Sequence, residues 1–330
     1  MRTARRSLLA TVLAAPLAAP LAARALAQPV MAQAPWPQRG ITLVVPYPPG
    51  GSSDNTARPL SQKLAEVLGV NIIIENRGGA GGSIGAMQVA QARPDGHTLL
   101  CFPTAILTIS PHLMRLPYNV ERDFTPVAMV SVSDGVMALH PAQPFRSVQA
   151  LVTYAKANPG KLRFSSAGNG TITQMIGEIF AHTAGIELQH IPYRGSAPAL
   201  TALLAGEVEL QFDPIPIPAV KEGRLIGLAG IGEDRCLELP TLPTLRELGL
   251  FGAGGTSFFG LAAPAGLPDA ITARLVDALR LALAAPEVAR AMAPVGLRPK
   301  LEHGAAFAAR LTQDRAIFGE AVRRTGARVE

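Results

Sequence analysis

Two glycine-rich turns contain the residue types that could bind an anion. They read PYPPGGSSD (residues 46–54) and SSAGNGT (residues 165–171), and each lies between an apolar run typical of a strand and a segment with helical spacing. Such a turn directs free backbone N–H groups beyond the strand end, where the dipole of the next helix adds partial positive charge. Since a domain's length of chain separates the turns, the sequence predicts a cleft that holds a small acid from both sides.

In the first turn, Gly50 and Gly51 would let the backbone approach a ligand with no Cβ in the way. Ser53 or Asp54 can cap the helix that follows. We assign Asp54 to that cap because its carboxylate would repel an anion. A plain strand-to-helix turn without a ligand fits the composition equally well.

In the second turn, Thr171 and Gln174 have the spacing of a capping box. The Thr171 hydroxyl would accept the N–H of Gln174, and the Gln174 side chain would reach back to the N–H of Thr171. Gly168 and Gly170 open the backbone before this box. The box would stabilise its helix whether or not a ligand binds, so the two interpretations are compatible.

A third loop, PYRGSAPA (residues 192–199), again ends a strand and begins a helix, with Ser196 as its cap and an early proline. Tyr193 can offer a phenol to a ligand, and Arg194 can form a bidentate pair with a carboxylate. A surface arginine or an interdomain salt bridge explains Arg194 at least as well.

An enzymatic alternative comes from Ser83, which lies in a G-x-S-x-G sequence at residues 81–85. That pattern is typical of a nucleophile elbow in hydrolases. No histidine that follows Ser83 stands in a recognisable catalytic setting, and tight helix–strand packing explains the glycines, so we favour packing. The sequence also lacks a phosphate-binding loop and an H-E-x-x-H metal motif. We therefore predict no catalytic residue, no metal and no cofactor.

The elements that would position these turns follow from apolar periodicity. The predicted strands are 41–45, 71–75, 98–102, 162–165, 187–191, 209–212, 225–231 and 257–263. The predicted helices are 54–68, 83–91, 148–157, 171–183, 197–204, 269–284, 286–293 and 305–323.

This alternation predicts an α/β protein in which each domain is a mainly parallel sheet flanked by helices. We expect two domains, one of residues 35–137 together with 251–330 and one of residues 138–250. The chain would cross between them near residues 136–140 and 249–259, and two crossings form a hinge that allows closure around a ligand.

Residues 1–27 resemble a signal peptide, with three early arginines, a short apolar run and the cleavage pattern Ala25-Leu26-Ala27, and Ala32-Gln33-Ala34 offers a second cleavage site. Arg5 and Arg6 fit either a twin-arginine or an ordinary secretion signal. We therefore predict an exported, periplasmic protein. Of the formal charge of +6, four units belong to arginines in this segment, which leaves +2 and makes nucleic acid a poor partner. Cys101 and Cys236 are either buried free thiols or, since export permits it, a disulfide.

Seven segments in order resemble the Bug-type extracytoplasmic solute receptors of tripartite tricarboxylate transporters. Besides the two turns, the resemblance rests on ENRGGAGGSIGA (75–86), ARPDGHTLL (92–100), IPYRGSAPAL (191–200), LPTLRELGL (242–250) and FGLAAPAGLP (259–268). It extends from about Trp36 to the C-terminus. It implies a two-domain periplasmic-binding-protein (type II) fold with the ligand cleft between the domains.

The resemblance also implies a non-enzymatic role, a monomeric receptor and a membrane partner. The receptor would bind a small carboxylate, held largely by backbone N–H groups and water, and deliver it to the membrane permease subunits. The ligand could be a di- or tricarboxylate, an acidic amino acid or an aromatic acid, and a solute sensor would share the same fold and site. By resemblance, the ligand-binding residues are Tyr47, Gly50, Gly51, Ser53, Asp54, Ser166, Ala167, Gly168, Gly170, Thr171, Tyr193, Gly195, Ala197 and Asp213.

Two positions depart from the family pattern. Gln174 stands where members often have His, and Phe258 stands where they often have Trp. Gln174 keeps the capping box but removes an imidazole from the ligand's surroundings, and Phe258 changes the apolar lining. Both departures bear on the choice of ligand.

Overall fold

The structure is a computed structural model that describes residues 36–232, 234–250 and 257–326. The predicted signal peptide at residues 1–27 lies outside these ranges. Within them, none of the helices combines the length and apolar character that a membrane crossing would need.

The strands of the described chain form two sheets. In chain order the strands are β1 Ile41–Val45, β2 Ile72–Asn76, β3 Thr98–Pro103, β4 Phe124–Ser133, β5 Val136–Leu139, β6 Arg163–Ser166, β7 Gln189–Pro192, β8 Leu210–Asp213, β9 Ile226–Gly230, β10 Phe258–Pro264 and β11 Leu297–His303. The first sheet has the spatial order β11-β4-β10-β3-β1-β2, and the second has the order β7-β6-β8-β5-β9. We call each sheet with its helices a lobe.

Helices cover the faces of both sheets. They are α1 Ser52–Leu68, α2 Ser83–Ala90, α3 Ala105–Thr108, α4 Ser110–Leu113, α5 Val148–Ala157, α6 Ile172–Ala184, α7 Ser196–Leu204, α8 Ile217–Lys221, α9 Asp269–Leu283, α10 Pro286–Met292 and α11 Gly304–Thr325. Short 3-10 turns occur at Ala80–Gly82 and Ala293–Val295. The predicted elements all occur, with ends shifted by no more than a few residues.

The two-domain α/β fold is confirmed, but both sheets are mixed rather than mainly parallel. β1 pairs in parallel with β2 and β3, whereas β10 runs antiparallel to its neighbours β3 and β4. In the second sheet, β5 is likewise antiparallel to β8 and β9. In the first sheet, the antiparallel strand β10 follows the whole second sheet in the chain and lies between β3 and β4.

The sequence prediction missed strands β4, β5 and β11. The segment expected as the first crossing between domains contains β5 itself, and the chain passes from one sheet to the other at Asp134 and Gly135. The expected second crossing, at residues 249–259, includes residues 251–256, which lie outside the described ranges. The placement of the strands is compatible with the predicted domain boundaries, which stay a prediction.

Asp134 is clamped at the passage between the sheets. Its backbone N–H donates to the carbonyl oxygen of Gly296 at 2.6 Å. Arg298 of β11 donates to its carboxylate from Nε at 2.5 Å and from Nη2 at 2.9 Å. The first connection between the lobes is therefore fixed to the edge strand of the first sheet.

Helix α11 packs against the cores of both lobes. Phe307 and Leu311, near its start, lie in the cluster that covers one face of the first sheet. Phe318 and Val322, near its end, lie in the cluster that covers the second sheet, together with Met175 of α6. Because this helix has aromatic anchors at both ends, it forms a further link between the lobes.

Candidate functional site

A small cavity of about 40 Å³ lies between the lobes, with a groove of about 730 Å³ outside it. The inner cavity is lined by Tyr47, Gly51, Ser52, Ser53, Pro103, Ser257 and Phe259 from the first lobe and by Ala167, Thr171, Ile172, Thr173, Ser196, Asp213 and Pro214 from the second. Tyr47 and Ala167 also line the outer groove, so the two spaces adjoin. Tyr47 donates its hydroxyl to Gly81 O at 2.8 Å, and burial raises the pKa of its phenol.

The first glycine turn is closed from within by Asp54. The Asp54 carboxylate accepts the N–H of Gly50 at 2.9 Å, Nε of Arg58 at 2.7 Å and Nδ2 of Asn76 at 3.1 Å. The predicted cap by Ser53 or Asp54 is wrong, because the cap position is Gly51 and no side chain caps the helix. The N–H of Gly50 is therefore occupied, whereas no described group accepts the N–H groups of Ser52 and Ser53.

The second turn is also satisfied by its own side chains. Thr173 Oγ1 accepts the N–H of Ala167 at 2.9 Å, and Ser166 Oγ accepts that of Gly168 at 3.1 Å. The Thr171 hydroxyl accepts the N–H of Gln174 at 3.4 Å, as the capping box predicts. The Gln174 side chain instead accepts the N–H of Gly170, at 2.8 Å, so that half of the prediction is wrong.

Behind this turn, His190 Nε2 lies 2.6 Å from Ser166 Oγ. Burial lowers the pKa of His190 to about 4, so its imidazole is neutral at pH 7. The pair holds Ser166 against the loop. At the start of α6, the N–H groups of Ile172 and Thr173 have no acceptor among the residues that the structure describes.

The third loop positions Ser196 differently from the prediction. Gly195 is the cap residue of α7, and the Ser196 hydroxyl donates to Asp213 at 2.6 Å rather than capping the helix. The pKa of Tyr193 is raised by burial and by a hydrogen bond to Glu207. Its phenol therefore has a protein partner, although Tyr193 still lines the outer groove.

Asp213 bridges the two lobes from inside the cavity. It is 1% exposed, and its Oδ1 accepts the Ser52 hydroxyl at 2.9 Å and the N–H of Ile215 at 3.1 Å. Burial raises the pKa of its carboxyl group, and the hydrogen bonds from Ser196, Ile215 and Ser52 oppose that shift. No Lys, Arg or His occurs among the described residues that line the inner cavity.

The result is a convergence of three helix N-termini on one small space. Helices α1, α6 and α7 begin at Ser52, Ile172 and Ser196, which all line the inner cavity. Unpaired N–H groups and aligned helix dipoles make such a place favourable for an anion. The arrangement can therefore hold a carboxylate by backbone donors and by the surrounding hydroxyl groups, without a charged partner.

The structure brings part of the predicted set to these spaces. Tyr47, Gly51, Ser53, Ala167, Thr171 and Asp213 line the inner cavity, and Gly168 and Tyr193 line the outer groove. The other predicted residues line neither the inner cavity nor the outer groove: Gly50, Asp54, Ser166, Gly170, Gly195 and Ala197. Ligand contact by any of these residues stays a prediction.

The predicted binding set omits Ser52, Ile172, Thr173 and Ser196, which line the inner cavity, and Ser196 was expected only as a helix cap. Their signal was their position as the first residues of helices after glycine turns. The expected change of lining at Phe258 is also wrong, because that side chain packs between Phe102 and Phe307 in the core, and Phe259 lines the cavity instead.

The G-x-S-x-G sequence around Ser83 is explained by close packing of α2 against the first sheet. A Cβ at Gly85 would lie 2.7 Å from the carbonyl oxygen of Arg77, so the glycine allows α2 to approach β1 and β2 closely. No described histidine or acid forms a hydrogen bond with the Ser83 hydroxyl. Cys101 and Cys236 are buried free thiols in different core clusters, which decides against a disulfide. Within the described ranges, no group of three or more His, Cys, Asp or Glu side chains could hold a metal ion.

Comparison with known proteins identifies the class. Residues 56–323 match the model of the tripartite tricarboxylate transporter family receptor. The chain is 38% identical to a UPF0065 protein in the tcbD-tcbE intergenic region of Pseudomonas sp. (strain P51), over 80% of this chain and 79% of that protein. It is 33% identical to Protein BugT of Bordetella pertussis, over 92% of this chain and 94% of that protein.

Solved structures of binding proteins have the same fold. Rpa4515 of R. palustris with adipate aligns with a TM-score of 0.84 and 29% identity, covering 89% of this chain and all of that one. The periplasmic binding protein BugD aligns with a TM-score of 0.83 and 30% identity, over 89% of this chain and all of that one. MatC of Rhodopseudomonas palustris with bound malate aligns with a TM-score of 0.81 and 29% identity, covering 87% of this chain and all of that one.

The chain belongs to the tripartite tricarboxylate transporter receptor family. It is a Bug-type receptor with a two-domain binding-protein fold, and it is not an enzyme, since its family and structural relatives are solute-binding proteins. The hydrolase alternative at Ser83 is thereby excluded.

Proposed function

We propose that this protein is a periplasmic receptor that captures a small carboxylate in the inner cavity and delivers it to the membrane permease subunits of a tripartite tricarboxylate transporter. The observation that carries the proposal is the convergence of the N-termini of α1, α6 and α7 on a cavity lined by hydroxyl groups. The relatives with bound adipate and malate support a carboxylate as the ligand class.

The contacts between the lobes suggest how binding would be signalled. Ser52 of α1 donates to Asp213 of β8, so one hydrogen bond joins the two walls of the cavity. Opening of the lobes would break this bond and expose the helix N-termini to solvent. A carboxylate that accepts N–H groups from both walls would favour the closed form, and the permease would recognise that form. The receptor would act as a monomer after removal of residues 1–27.

A thermal-shift screen of the protein from residue 28 onward tests this function. The library contains dicarboxylates, tricarboxylates, acidic amino acids and aromatic acids, each with its amide as a neutral control. At ~100 times its dissociation constant a ligand adds about 2.7 kcal/mol to the free energy of unfolding. We expect a shift with one acid class and none with the corresponding amides.

Two controls make the screen decisive. Ser83→Ala should keep the full shift, because Ser83 lines neither the cavity nor the groove. Native mass spectrometry of the purified protein reveals a ligand that was already bound. An absence of both a shift and a bound acid would contradict the proposed function.

A further inference from the structure

The inner cavity and the outer groove carry side chains of opposite charge. The charged side chain that lines the inner cavity is Asp213, and the one that lines the outer groove is Arg194. No acidic residue occurs among the described residues of the outer groove. A ligand that extends from the inner cavity through the shared boundary at Tyr47 and Ala167 therefore meets a cation at the mouth.

Arg194 has no partner among the residues that the structure describes, but its backbone is held in place. It is exposed, and it forms no hydrogen bond or ion pair with a residue that the structure describes. The next residue, Gly195, is buried at φ 126°, and a Cβ there would lie 3.2 Å from Pro48 of the opposite lobe. On the other side, a Cβ at Gly168 would lie 3.0 Å from the carbonyl oxygen of Tyr193. The loop thus presents a free guanidinium group from a fixed position.

The opposite wall of the groove is backbone. It consists of Gly78–Gly82, and the carbonyl oxygen of Gly81 is occupied by the Tyr47 hydroxyl. Met114, Pro48 and Pro192 supply apolar surface. An aliphatic or aromatic linker fits such walls, and its acidic end group would find its charge partner in Arg194.

We propose that the outer groove is a second anion subsite, in which Arg194 binds the distal acidic group of a ligand whose first carboxylate occupies the inner cavity. This proposal rests on the proposed function and narrows the ligand to molecules with two acidic groups at opposite ends. The planar guanidinium fork matches a carboxylate through two parallel N–H···O bonds. The inner subsite gives general affinity for acids, and the outer one selects diacids over monoacids.

Calorimetric titration with matched ligands tests the subsite. The probes are succinate, glutarate, adipate and pimelate, each compared with its monoamide, which keeps the length and loses the distal charge. We expect at least one diacid to bind the wild-type protein about tenfold more tightly than its monoamide, the size of a charge-assisted hydrogen bond. That difference should shrink as salt is added, since the groove is open to solvent.

Three variants assign the effect to Arg194. Arg194→Gln should remove the advantage of the diacid and leave monoamide affinity unchanged, and Arg194→Lys should restore part of it. Arg274→Gln is the matched control, because Arg274 is an exposed arginine on α9, which lines neither space. Its variant should behave as wild type.

The outcomes separate this proposal from the proposed function. If the wild-type protein binds acids but treats each diacid and its monoamide alike, or if Arg194→Gln keeps the difference, the outer subsite is overturned and the receptor function stands. If no acid of the larger library binds and none co-purifies, both fail.

Discussion

Asp213 places an ionisable group beside the space that is proposed to receive an anion. Two like charges in a small cavity without a cation are unfavourable, and a shared proton removes the conflict. The other titratable groups on the cavity wall or on elements packed against β8 are Tyr47, Arg163 with its partner Glu209, Glu178 and His182. Of these, only Tyr47 lines the inner cavity, and its phenol is neutral, so none offers Asp213 a countercharge there.

We therefore predict that carboxylate binding takes up a proton. Burial raises the pKa of Asp213 above its ordinary 3.8, so the closed form holds the proton more tightly than an open or unfolded chain. Protonation of Asp213 therefore stabilises the closed form at low pH. This contribution to the stability of the closed form is lost as pH rises through the raised pKa. Calorimetry in two buffers of different ionisation enthalpy measures the uptake.

Asp213→Asn provides the comparison, because the amide keeps the shape and can still accept from Ser52. Its binding should show no proton uptake and a flatter dependence on pH. Equal uptake in both proteins would show that the proton goes elsewhere.

The backbone N–H of Ser52 can be tested apart from its hydroxyl. Ser52 is the first residue of α1, where proline is tolerated, and Gly51 before it is extended at φ −84° and ψ 176°, which suits a following proline. Ser52→Ala removes the hydroxyl, and Ser52→Pro removes the hydroxyl and the N–H. We expect Ser52→Pro to bind its acid about tenfold more weakly than Ser52→Ala, with unchanged helix content by circular dichroism. Equal affinities would exclude this N–H as a ligand donor.

The glycine turns themselves could be predicted from the sequence, but the donors could not. Gly50, Gly168 and Gly170 have the flexible backbone of an anion cradle, yet side chains a few residues away already accept their N–H groups. Which of two acceptors an N–H group takes, a neighbouring side chain or a ligand, depends on rotamers that local sequence does not specify.

Helices and strands close to the turns were more predictable than the strands that complete the sheets. β1, α1 and α6 have clear apolar spacing and glycine stops, and their bounds agree within two residues. β4 has an almost continuously buried pattern, which carries no period to recognise, and the partly exposed β11 contains Pro299. Their pairing depends on distant chain segments, so only the three-dimensional structure reveals it.

Contact between loops of opposite lobes depends on glycine at Gly81. Its φ is +64°, and a Cβ there would lie 2.5 Å from the carbonyl oxygen of Asn169 in the second lobe. Gly81→Ala should therefore hold the lobes apart and weaken acid binding by about tenfold or more, an estimate from the loss of donors on one wall. Titration calorimetry measures the change.

Gly69→Ala is the matched control for backbone strain. Gly69 has φ +69°, and nothing lies within 4 Å of the Cβ position, so alanine there costs only its left-handed conformation, about 1 kcal/mol of unfolding free energy. Both variants should lose stability in urea unfolding, and only Gly81→Ala should lose affinity. A similar affinity for the two would contradict a steric role of Gly81.

Asp134 and Arg298 form an ion pair where the chain passes from the first lobe to the second, outside the cleft. Asp134 is nearly buried and accepts two hydrogen bonds from the half-exposed Arg298. Arg298→Gln leaves that carboxylate without its charge partner, and we expect a loss of about 2 kcal/mol in the free energy of unfolding by urea. Arg298→Gln combined with Asp134→Asn should recover part of the loss. A double variant less stable than either single one would contradict the pairing.

The division of the whole chain into two lobes followed from the sequence, because α/β alternation stops and resumes. The return of the C-terminal segments to the first sheet could be expected only in outline. Helix α11 spans the cores of both lobes because Phe307 and Phe318 pack into different hydrophobic clusters. The amphipathic pattern of a single helix does not show that its two ends contact different cores.

The position of β10 has a consequence for the order in which the chain can fold. β10 lies between β3 and β4, yet it follows the whole second sheet in sequence. The second sheet comes from one continuous stretch, residues 136–230, whereas the first must wait for its central strand and pay for closing a long loop. In pulse-labelled hydrogen exchange during refolding, amides of β6 and β8 should become protected before those of β3 and β4, and the reverse order would contradict this. The lobe that is begun first is thus the one completed last, and until then its unpaired strand edges are exposed to aggregation and proteolysis.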